Sequence, residues 1–285
     1  MKLDATQVAH QLTGIPASQA RPLGGAAYLV VLENGERLVA KSHGEPNAVK
    51  AEAASLEWLS QPAVVPVPGL RALSDEWLLT DYIEPGASGP EAAEELGRGL
   101  ARLHASGAPA FGSPPTGGPR EASIGLAEMY NVECETWPDF YANHRVEPYL
   151  RTAVDRASLT DSQARTFGQV LGRLDDLAGP AEPPARLHGD LWSGNVLWSA
   201  QGPAWLIDPA AHGGHRETDL AMLHLFGCSY LDRLLGAYQE VAPLADGWRH
   251  RIPLHQLFPL LVHTVLFGGA YAGQAAGAAR AALAA

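Results

Sequence analysis

The chain has 285 residues, and its 20 basic and 31 acidic side chains give a net charge of −11. A general nucleic-acid-binding protein needs a basic face that neutralises phosphates, so this charge argues against that class of protein. A hydrophobic content of 46% with 18% charged residues is typical of an ordered globular protein. Because the chain has only two cysteines and its first residues lack the apolar core of a signal peptide, we expect a cytoplasmic protein.

The first 83 residues have the pattern of strands with one helix. The apolar runs 27–32 and 37–41 predict two antiparallel strands, because the Asn34-Gly35 pair between them tolerates the positive φ angles of a tight hairpin turn. Asn47 is a suitable N-cap for a helix that continues to Ser60. Residues 77–83 predict another strand, which Pro85 and Gly86 end.

The rest of the chain is predominantly helical in pattern. Helical spacing of apolar residues covers 90–103, 126–156 and 160–178, short strands surround 186–208, and helices predominate from 219 onwards. The apolar region 257–273 contains His263, Thr264 and several glycines, which favours a buried helix over a membrane span. The last fifteen residues are rich in alanine, and we expect them to fray. The pattern predicts an α+β, bilobal fold with a β-rich lobe over 1–83 and a helical lobe over 84–285.

The most informative motif runs from His188 to Asn195, and a short apolar run separates it from Asp208. Its order, His-x-Asp-Leu-x-x-x-Asn followed by a strand and Asp, is that of a kinase catalytic loop and its metal-binding acid. Asp190 would orient an acceptor hydroxyl and take its proton, while oxygens of Asn195 and Asp208 suit Mg²⁺. Turn formation explains each residue alone, but their combination favours ATP-dependent phosphoryl transfer.

Lys41 ends the strand Val39-Ala40-Lys41, where a kinase lysine reaches the α- and β-phosphates of ATP. Such a lysine needs an acidic partner on the next helix, for which Glu52 and Glu57 are the candidates. At about 100° per residue, Glu52 lies about 40° from the centre of the helix's apolar face and Glu57 about 100° away. We therefore predict that Glu52 pairs with Lys41 and that Glu57 lies on the surface.

Two further segments are expected to contact the nucleotide. Gly24 and Gly25 precede the first strand and would cover the phosphates, although pairs of glycines are common in a chain with 30 of them. Asp81, Tyr82 and Ile83 lie at the predicted junction of the two lobes, where their backbone would meet the adenine of ATP.

The class of kinase is indicated by Gly189. Protein kinases carry at this position an Arg that contacts a phosphorylated activation loop. This chain has Gly there, and no Ala-Pro-Glu segment follows the motif. Both features favour a small-molecule kinase whose active site is permanently formed. A zinc site built from His212 and His215, near Asp208 and His224, is disfavoured, because their spacing is loose and no cysteine lies near them.

These motifs resemble the signature of the fructosamine-3-kinase (ketosamine-3-kinase) family. The resemblance rests on 187–195, 207–210 and 214–227, on the Trp137-Pro138-Asp139-Phe140-Tyr141 segment with Arg145, and on segments near the C-terminus. It implies an aminoglycoside phosphotransferase-like, protein-kinase-like fold, with ATP and Mg²⁺ as cofactors. It also implies transfer of the γ-phosphoryl group of ATP to the O3 hydroxyl of a small or protein-bound ketosamine, a reaction of deglycation repair.

By matching positions, the resemblance implies that Asp190 is the base, that Asn195 and Asp208 bind Mg²⁺, and that Lys41 and Glu52 bind phosphates. The side chains beside these positions are candidates for lining the acceptor pocket: Trp192, His215, Arg216 and Glu217. A structural ion pair between Arg216 and Glu217 is an equal alternative.

Two other functions remain open. One is a kinase for another alcohol, such as an aminoglycoside, choline or homoserine, and the other is a nucleotide-binding module without catalysis. The sequence does not identify the sugar or the amine of the acceptor, and it leaves the oligomeric state open, with a monomer favoured. The glycine segment 23–28 lacks the cysteine that some family members carry, so no thiol-based regulation is predicted.

Overall fold

A computed structural model describes residues 3–285, and its N-terminal part contains a five-stranded antiparallel sheet. The strands are β1 (Ala17–Gly24), β2 (Ala27–Leu32), β3 (Arg37–Ser42), β4 (Leu70–Leu73) and β5 (Trp77–Asp81), in the spatial order β1-β2-β3-β5-β4. Alternate residues of the central strands, such as Val30, Leu38 and Leu79, are buried on one face of the sheet. This alternation is the period of two that a half-buried strand requires.

A helix that the sequence pattern did not predict, α1 (Ala5–Thr13), packs on that face of the sheet. Asp4 caps it by accepting hydrogen bonds from the backbone N–H groups of Thr6 and Gln7, and the Gln7 side chain completes a capping box. Gly14 ends the helix in the left-handed conformation. These signals are present in the sequence, but the helix is only nine residues long.

The helix for which Asn47 was the predicted N-cap begins two residues earlier than expected, as α2 (Pro46–Ser60), with Glu45 at the N-cap position. Proline at the first helical position has a favourable fixed φ angle and no N–H that needs an acceptor. Asn47 therefore does not cap the helix, and its side chain instead donates a hydrogen bond to Glu121 at 3.1 Å. The predicted apolar face of α2, which includes Val49 and Leu59, is buried.

Helices predominate after residue 89, together with three two-stranded sheets. The strands are β6 (Glu121–Ile124), β7 (Ala127–Tyr130), β8 (Ala185–Leu187), β9 (Val196–Trp198), β10 (Ala204–Leu206) and β11 (His212–Gly214). The helices are α3 (Pro90–Ala105), α4 (Trp137–Phe140), α5 (Glu147–Asp155), α6 (Asp161–Leu171), α7 (Leu174–Leu177), α8 (Arg216–Leu225), α9 (Leu231–Val241), α10 (Trp248–His255), α11 (Leu257–Phe267) and α12 (Gly269–Ala284). A π-helix (Tyr141–Val146) joins α4 to α5, and a 3₁₀ helix (Ser193–Asn195) follows Trp192.

Two local predictions for this part were wrong. Residues 126–130, predicted as the start of a helical region, belong to the β6–β7 hairpin, in which Ile124, Ala127 and Met129 are buried at alternating positions. The last fifteen residues do not fray but form most of α12, which packs on α6, α10 and α11. Ala272, Ala275 and their equivalents one and two turns later are buried, and their small side chains permit close packing of helices.

The apolar region 257–273 forms α11 and the start of α12, and α11 is buried as predicted. Within residues 3–285, no helix combines the length and apolar character needed to cross a membrane.

Candidate active site

A cavity of about 680 Å³ lies between α2, the β6–β7 hairpin and the segment 190–211. Its wall contains six of the side chains that were predicted from the sequence to be functional: Lys41, Glu52, Asp190, Trp192, Asn195 and Asp208. The cavity therefore brings together residues from the sheet, from α2 and from the catalytic motif.

The catalytic motif is held in place by short antiparallel pairings. β8, which leads into His188, pairs with β11, and β9 pairs with β10, which leads to Asp208. His188 is buried and links the two segments, because its Nε2–H donates to the Ile207 carbonyl at 3.0 Å and its own carbonyl accepts from Ala210 N at 3.0 Å. Burial lowers the pKa of His188, which keeps the ring neutral. His188 therefore braces the catalytic motif through hydrogen bonds to the backbone.

Asp219 is a residue of this site that the catalytic motif itself does not reveal. Its buried carboxylate accepts hydrogen bonds from two consecutive backbone amides of the catalytic motif, His188 N at 2.7 Å and Gly189 N at 3.0 Å. Burial alone would raise the pKa of Asp219, but hydrogen bonding and the neighbouring His104 outweigh it and lower the pKa. Asp219 lies in the first turn of α8, where acidic residues are common, so its position in the sequence does not mark it as a partner of the loop.

Gly189 has a structural requirement for glycine. Its φ angle is +83°, and a Cβ atom placed on it would lie 2.1 Å from the Ala210 carbonyl oxygen. No side chain fits between the catalytic motif and the segment after Asp208, so the arginine that protein kinases carry here is excluded by packing.

Asp190 lies at the cavity wall, and Asn195 fixes its position. Asn195 Nδ2 donates to both the carbonyl oxygen and the Oδ2 atom of Asp190, at 2.8 and 3.0 Å. Burial is the main cause that raises the pKa of Asp190 to about 7; the Asn195 hydrogen bond opposes this shift and the charge of Asp208 adds to it. Because the amide nitrogen of Asn195 is used in this way, its oxygen remains available to a cation.

Lys41 is held between two carboxylates. Its Nζ atom lies 2.7 Å from Glu52 Oε2 and 2.9 Å from Asp208 Oδ1, and His43 Nε2 lies 3.2 Å from the same Glu52 oxygen. Burial disfavours both charges, but the ion pairs outweigh it, raising the pKa of Lys41 and lowering that of Glu52. The predicted pairing of Lys41 with Glu52 is present, and Glu57 is exposed as predicted.

Trp192 lies at the edge of the cavity with 38% of its surface exposed. Its indole packs on Gly194, where a Cβ atom would lie 2.2 Å from Trp192 Cη2, so only glycine permits this position of the ring. The Phe226 ring meets the indole edge-on at a centroid distance of 5.8 Å.

The other three residues expected beside the acceptor, His215, Arg216 and Glu217, do not line the cavity. Arg216 forms a bidentate ion pair with Glu182 at 2.6 and 2.7 Å, and Glu217 forms one with Arg251 at 2.9 and 2.6 Å. His215 accepts a hydrogen bond from Glu217 N at the start of α8. The alternative of an Arg216–Glu217 pair is also wrong, because each residue pairs with a distant partner.

The histidines His212, His215 and His224 do not form one cluster of candidate ligands among the described residues. Among residues 3–285, the one group of three candidate metal ligands is His215, Glu217 and His255. The Arg251 guanidinium occupies both oxygens of Glu217, and a second cation there would be repelled.

The segments expected to contact the nucleotide do not line the cavity. Gly24 and Gly25, with φ angles of +138° and +52°, lie at the exposed turn between β1 and β2. Asp81 accepts hydrogen bonds from Gly69 N and Arg71 Nε, so its carboxylate is already engaged. The chain continues through Tyr82 and Ile83, and their contact with a nucleotide stays a prediction.

Comparisons with known proteins agree with these motifs. The sequence model of the fructosamine kinase family matches residues 24–285. A probable ketoamine kinase from Enterococcus faecium is 34% identical over 238 residues, which cover 80% of this chain and 82% of that protein. The crystal structure of a candidate fructosamine-3-kinase from Thermobifida fusca is 46% identical, covers 99% of both chains and has a TM-score of 0.92.

A more distant structure, a macrolide 2′-phosphotransferase from Brachybacterium faecium, is 17% identical, with a TM-score of 0.63 over 97% of this chain and 98% of that chain. At this identity the likeness shows the fold alone. The predicted fold class, α+β and bilobal, of the type shared by protein kinases and aminoglycoside phosphotransferases, is confirmed.

Proposed function

Because the chain belongs to the fructosamine kinase family, we propose that this ATP-dependent phosphotransferase transfers the γ-phosphoryl group of ATP to the O3 hydroxyl of a ketosamine. Phosphorylation at this position would destabilise the sugar–amine adduct and release the free amine, which is deglycation repair. The observation that carries the proposal is the meeting of Lys41, Asp190, Asn195 and Asp208 in one cavity.

Asp190 is the proposed base. Its carboxylate would accept the proton of the acceptor hydroxyl as the oxygen attacks the γ-phosphorus, and a group that titrates near neutral pH is well matched to this task. The hydrogen bonds from Asn195 hold the carboxylate in one orientation, so little reorganisation is needed when the acceptor binds.

The oxygens at this end of the cavity fit Mg²⁺. Asn195 offers its amide oxygen and Asp208 its carboxylate, and both are hard ligands of the kind that Mg²⁺ takes together with phosphates. When bound, Mg²⁺ would offset the negative charge of the transferring phosphoryl group. The φ angle of +53° at Asp208 turns its carboxylate back toward Lys41.

Lys41 would bind the α- and β-phosphates of ATP, with Glu52 holding its ammonium group in place. We further propose that Gly24 and Gly25 cover the phosphates, and that residues 81–83 meet the adenine at the boundary between an ATP-binding lobe, 1–83, and a catalytic lobe, 84–285. Just after this proposed boundary, Gly86 N donates a hydrogen bond to the Trp198 carbonyl at 2.7 Å, which anchors the chain at the start of the proposed catalytic lobe.

A panel of acceptors tests this function. ATP consumption is measured with fructosyl, ribulosyl and erythrulosyl amines and, in parallel, with an aminoglycoside, choline and homoserine. We expect turnover with ketosamines, a product phosphorylated at O3, and a loss of turnover by about three orders of magnitude in Asp190→Asn with ATP still bound. Preference for another alcohol would replace the ketosamine assignment, and ATP binding without transfer to any acceptor would indicate a non-catalytic module.

A further inference from the structure

The β6–β7 hairpin presents a polar face to the catalytic cavity. Its register pairs Glu121 with Tyr130 and Ser123 with Glu128. Because side chains alternate along a strand, these four residues share one face of the hairpin, opposite the buried Met129. All four line the same cavity as Asp190, so the face belongs to the wall that an acceptor would meet.

This part of the cavity is acidic and carries no compensating cation. Lys41 is the single lysine or arginine in the described cavity wall, and Glu52 and Asp208 already neutralise it. Within residues 3–285, Glu121 and Glu128 have no salt-bridge partner. Their recorded side-chain partners are neutral: Asn47 Nδ2 donates to Glu121 at 3.1 Å and Tyr130 OH donates to Glu128 at 3.2 Å.

Asn131, directly after β7, supplies an independent sign of a ligand. The residue is fully buried and lines the cavity, and its Oδ1 atom accepts a hydrogen bond from Arg145 Nη2 at 2.7 Å. Its Nδ2 atom has no hydrogen-bond partner among the described residues. A buried donor without an acceptor is destabilising, so an oxygen of a bound molecule is the natural partner for this amide.

The position of Asn131 is fixed from behind by Arg145. The buried guanidinium also donates to the Tyr130 carbonyl at 2.8 Å and packs over the rings of Phe140 and Phe258. Because Arg145 can only donate, its partner must be the oxygen of the Asn131 amide, which leaves the amide nitrogen as the free donor. The end of the hairpin is therefore held in one arrangement without a bound ligand.

We propose that this hairpin face is the subsite for the amine end of the acceptor. Glu128 and Glu121 bind the protonated amine, and Asn131 donates a hydrogen bond to an oxygen of the attached sugar. The inference rests on the proposed function and deepens it, because it makes a positive charge on the acceptor's amine a determinant of binding alongside the sugar.

Calorimetric binding tests the subsite without requiring turnover. The two ligands share the same ketose: fructosyl-lysine carries a protonated secondary amine, and its analogue acetylated at that nitrogen is uncharged there. The wild type should bind the cationic ligand about tenfold more tightly, and Glu128→Gln and the Glu121→Gln/Glu128→Gln double variant should lose most of that preference. Glu57→Gln removes the same charge from an exposed position outside the cavity and should behave as the wild type.

Asn131→Asp provides a second variant that keeps an acceptor for Arg145 but removes the free donor. It should weaken both ligands while the protein still unfolds cooperatively. The subsite is ruled out if the wild type does not prefer the cationic ligand, or if the glutamine variants weaken both ligands equally. A charge preference that depends on Glu128, in a protein that phosphorylates no ketosamine, would uphold the subsite and reject the proposed function.

Discussion

Asp219 accepts a 2.7 Å hydrogen bond from the backbone amide of His188, 31 residues earlier in the chain. A second bond, from Gly189 N to the other carboxylate oxygen, makes this a bidentate clamp on the backbone immediately before Asp190. Helix α8 thus sets the position of the proposed base through the main chain, without contact between Asp219 and the acceptor.

Removal of this clamp should reduce both stability and turnover. Asp219→Ala leaves two buried amides without an acceptor, so we expect the free energy of unfolding to fall by about 3 kcal/mol or more. Asp219→Asn keeps one acceptor oxygen and should lose about half as much. Urea unfolding gives the stability, and kcat with saturating ATP gives the effect on the loop. An alanine variant with unchanged stability would show that the amides find other partners.

The contrast between Asp190 and Asp219 illustrates what the sequence can predict. The spacing of Asp190, Asn195 and Asp208 is local, and the helical position of Glu52 follows from its own neighbours, so motif and periodicity are sufficient for these. Asp219 contacts the loop from 30 residues away, and Arg216 and Glu217 each find a partner 34 residues away. Such partners depend on the packing of whole elements, which local patterns do not encode.

The misassigned secondary structure has a similar cause. Residues 121–130 have alternating buried residues over only four positions in each strand, too few to distinguish a short hairpin from the helix that follows. The alanines of α12 predict weak packing from the sequence, because each can bury only a small area. In the fold they pack closely against three helices, α6, α10 and α11. Tertiary contacts decide both cases.

The ion pair between Lys41 and Glu52 should contribute more to the use of ATP than to the free energy of unfolding. Glu52→Gln keeps the shape of the side chain but removes the charge that holds the ammonium group, so we expect kcat/KM for ATP to fall by about 10- to 100-fold. Glu57→Gln, on the exposed side of the same helix, is the matched control and should leave kcat/KM unchanged. Equal effects of the two substitutions would contradict the assignment of Glu52.

Gly189 should tolerate no side chain. Gly189→Ala combines a positive φ angle with a contact of 2.1 Å to the Ala210 carbonyl, so we expect a loss of about 2–4 kcal/mol in the free energy of unfolding. Gly168→Ala is the matched control. Gly168 lies in α6, where nothing lies within 4 Å of an added Cβ atom, so alanine should stabilise the protein by about 0.5–1 kcal/mol. Thermal and urea unfolding of both variants would separate strain at Gly189 from a general effect of alanine.

The buried pair between Glu217 and Arg251 should make stability depend on acidic pH. Burial alone would raise the pKa of Glu217, but the adjacent His255 and the hydrogen-bonded Arg251 guanidinium outweigh it and lower the pKa from 4.5 to about 2. Since the folded state holds the carboxylate ionised, this stabilisation is complete above about pH 4.5 and is lost as the pH falls toward 2.

Glu217→Gln should therefore lower the free energy of unfolding at pH 7 by about 3 kcal/mol or more, because it leaves the buried Arg251 guanidinium without its counter-charge. The difference between wild type and variant should shrink as the pH falls below about 4.5. Below this pH the Glu217 carboxyl group takes up a proton in the unfolded state but not in the folded state, so the free energy of unfolding of the wild type falls. Urea unfolding at pH 7, 5.5, 4.5 and 4 measures this difference directly. A gap that stays constant down to pH 4 would mean that the pair does not depend on the ionisation of Glu217.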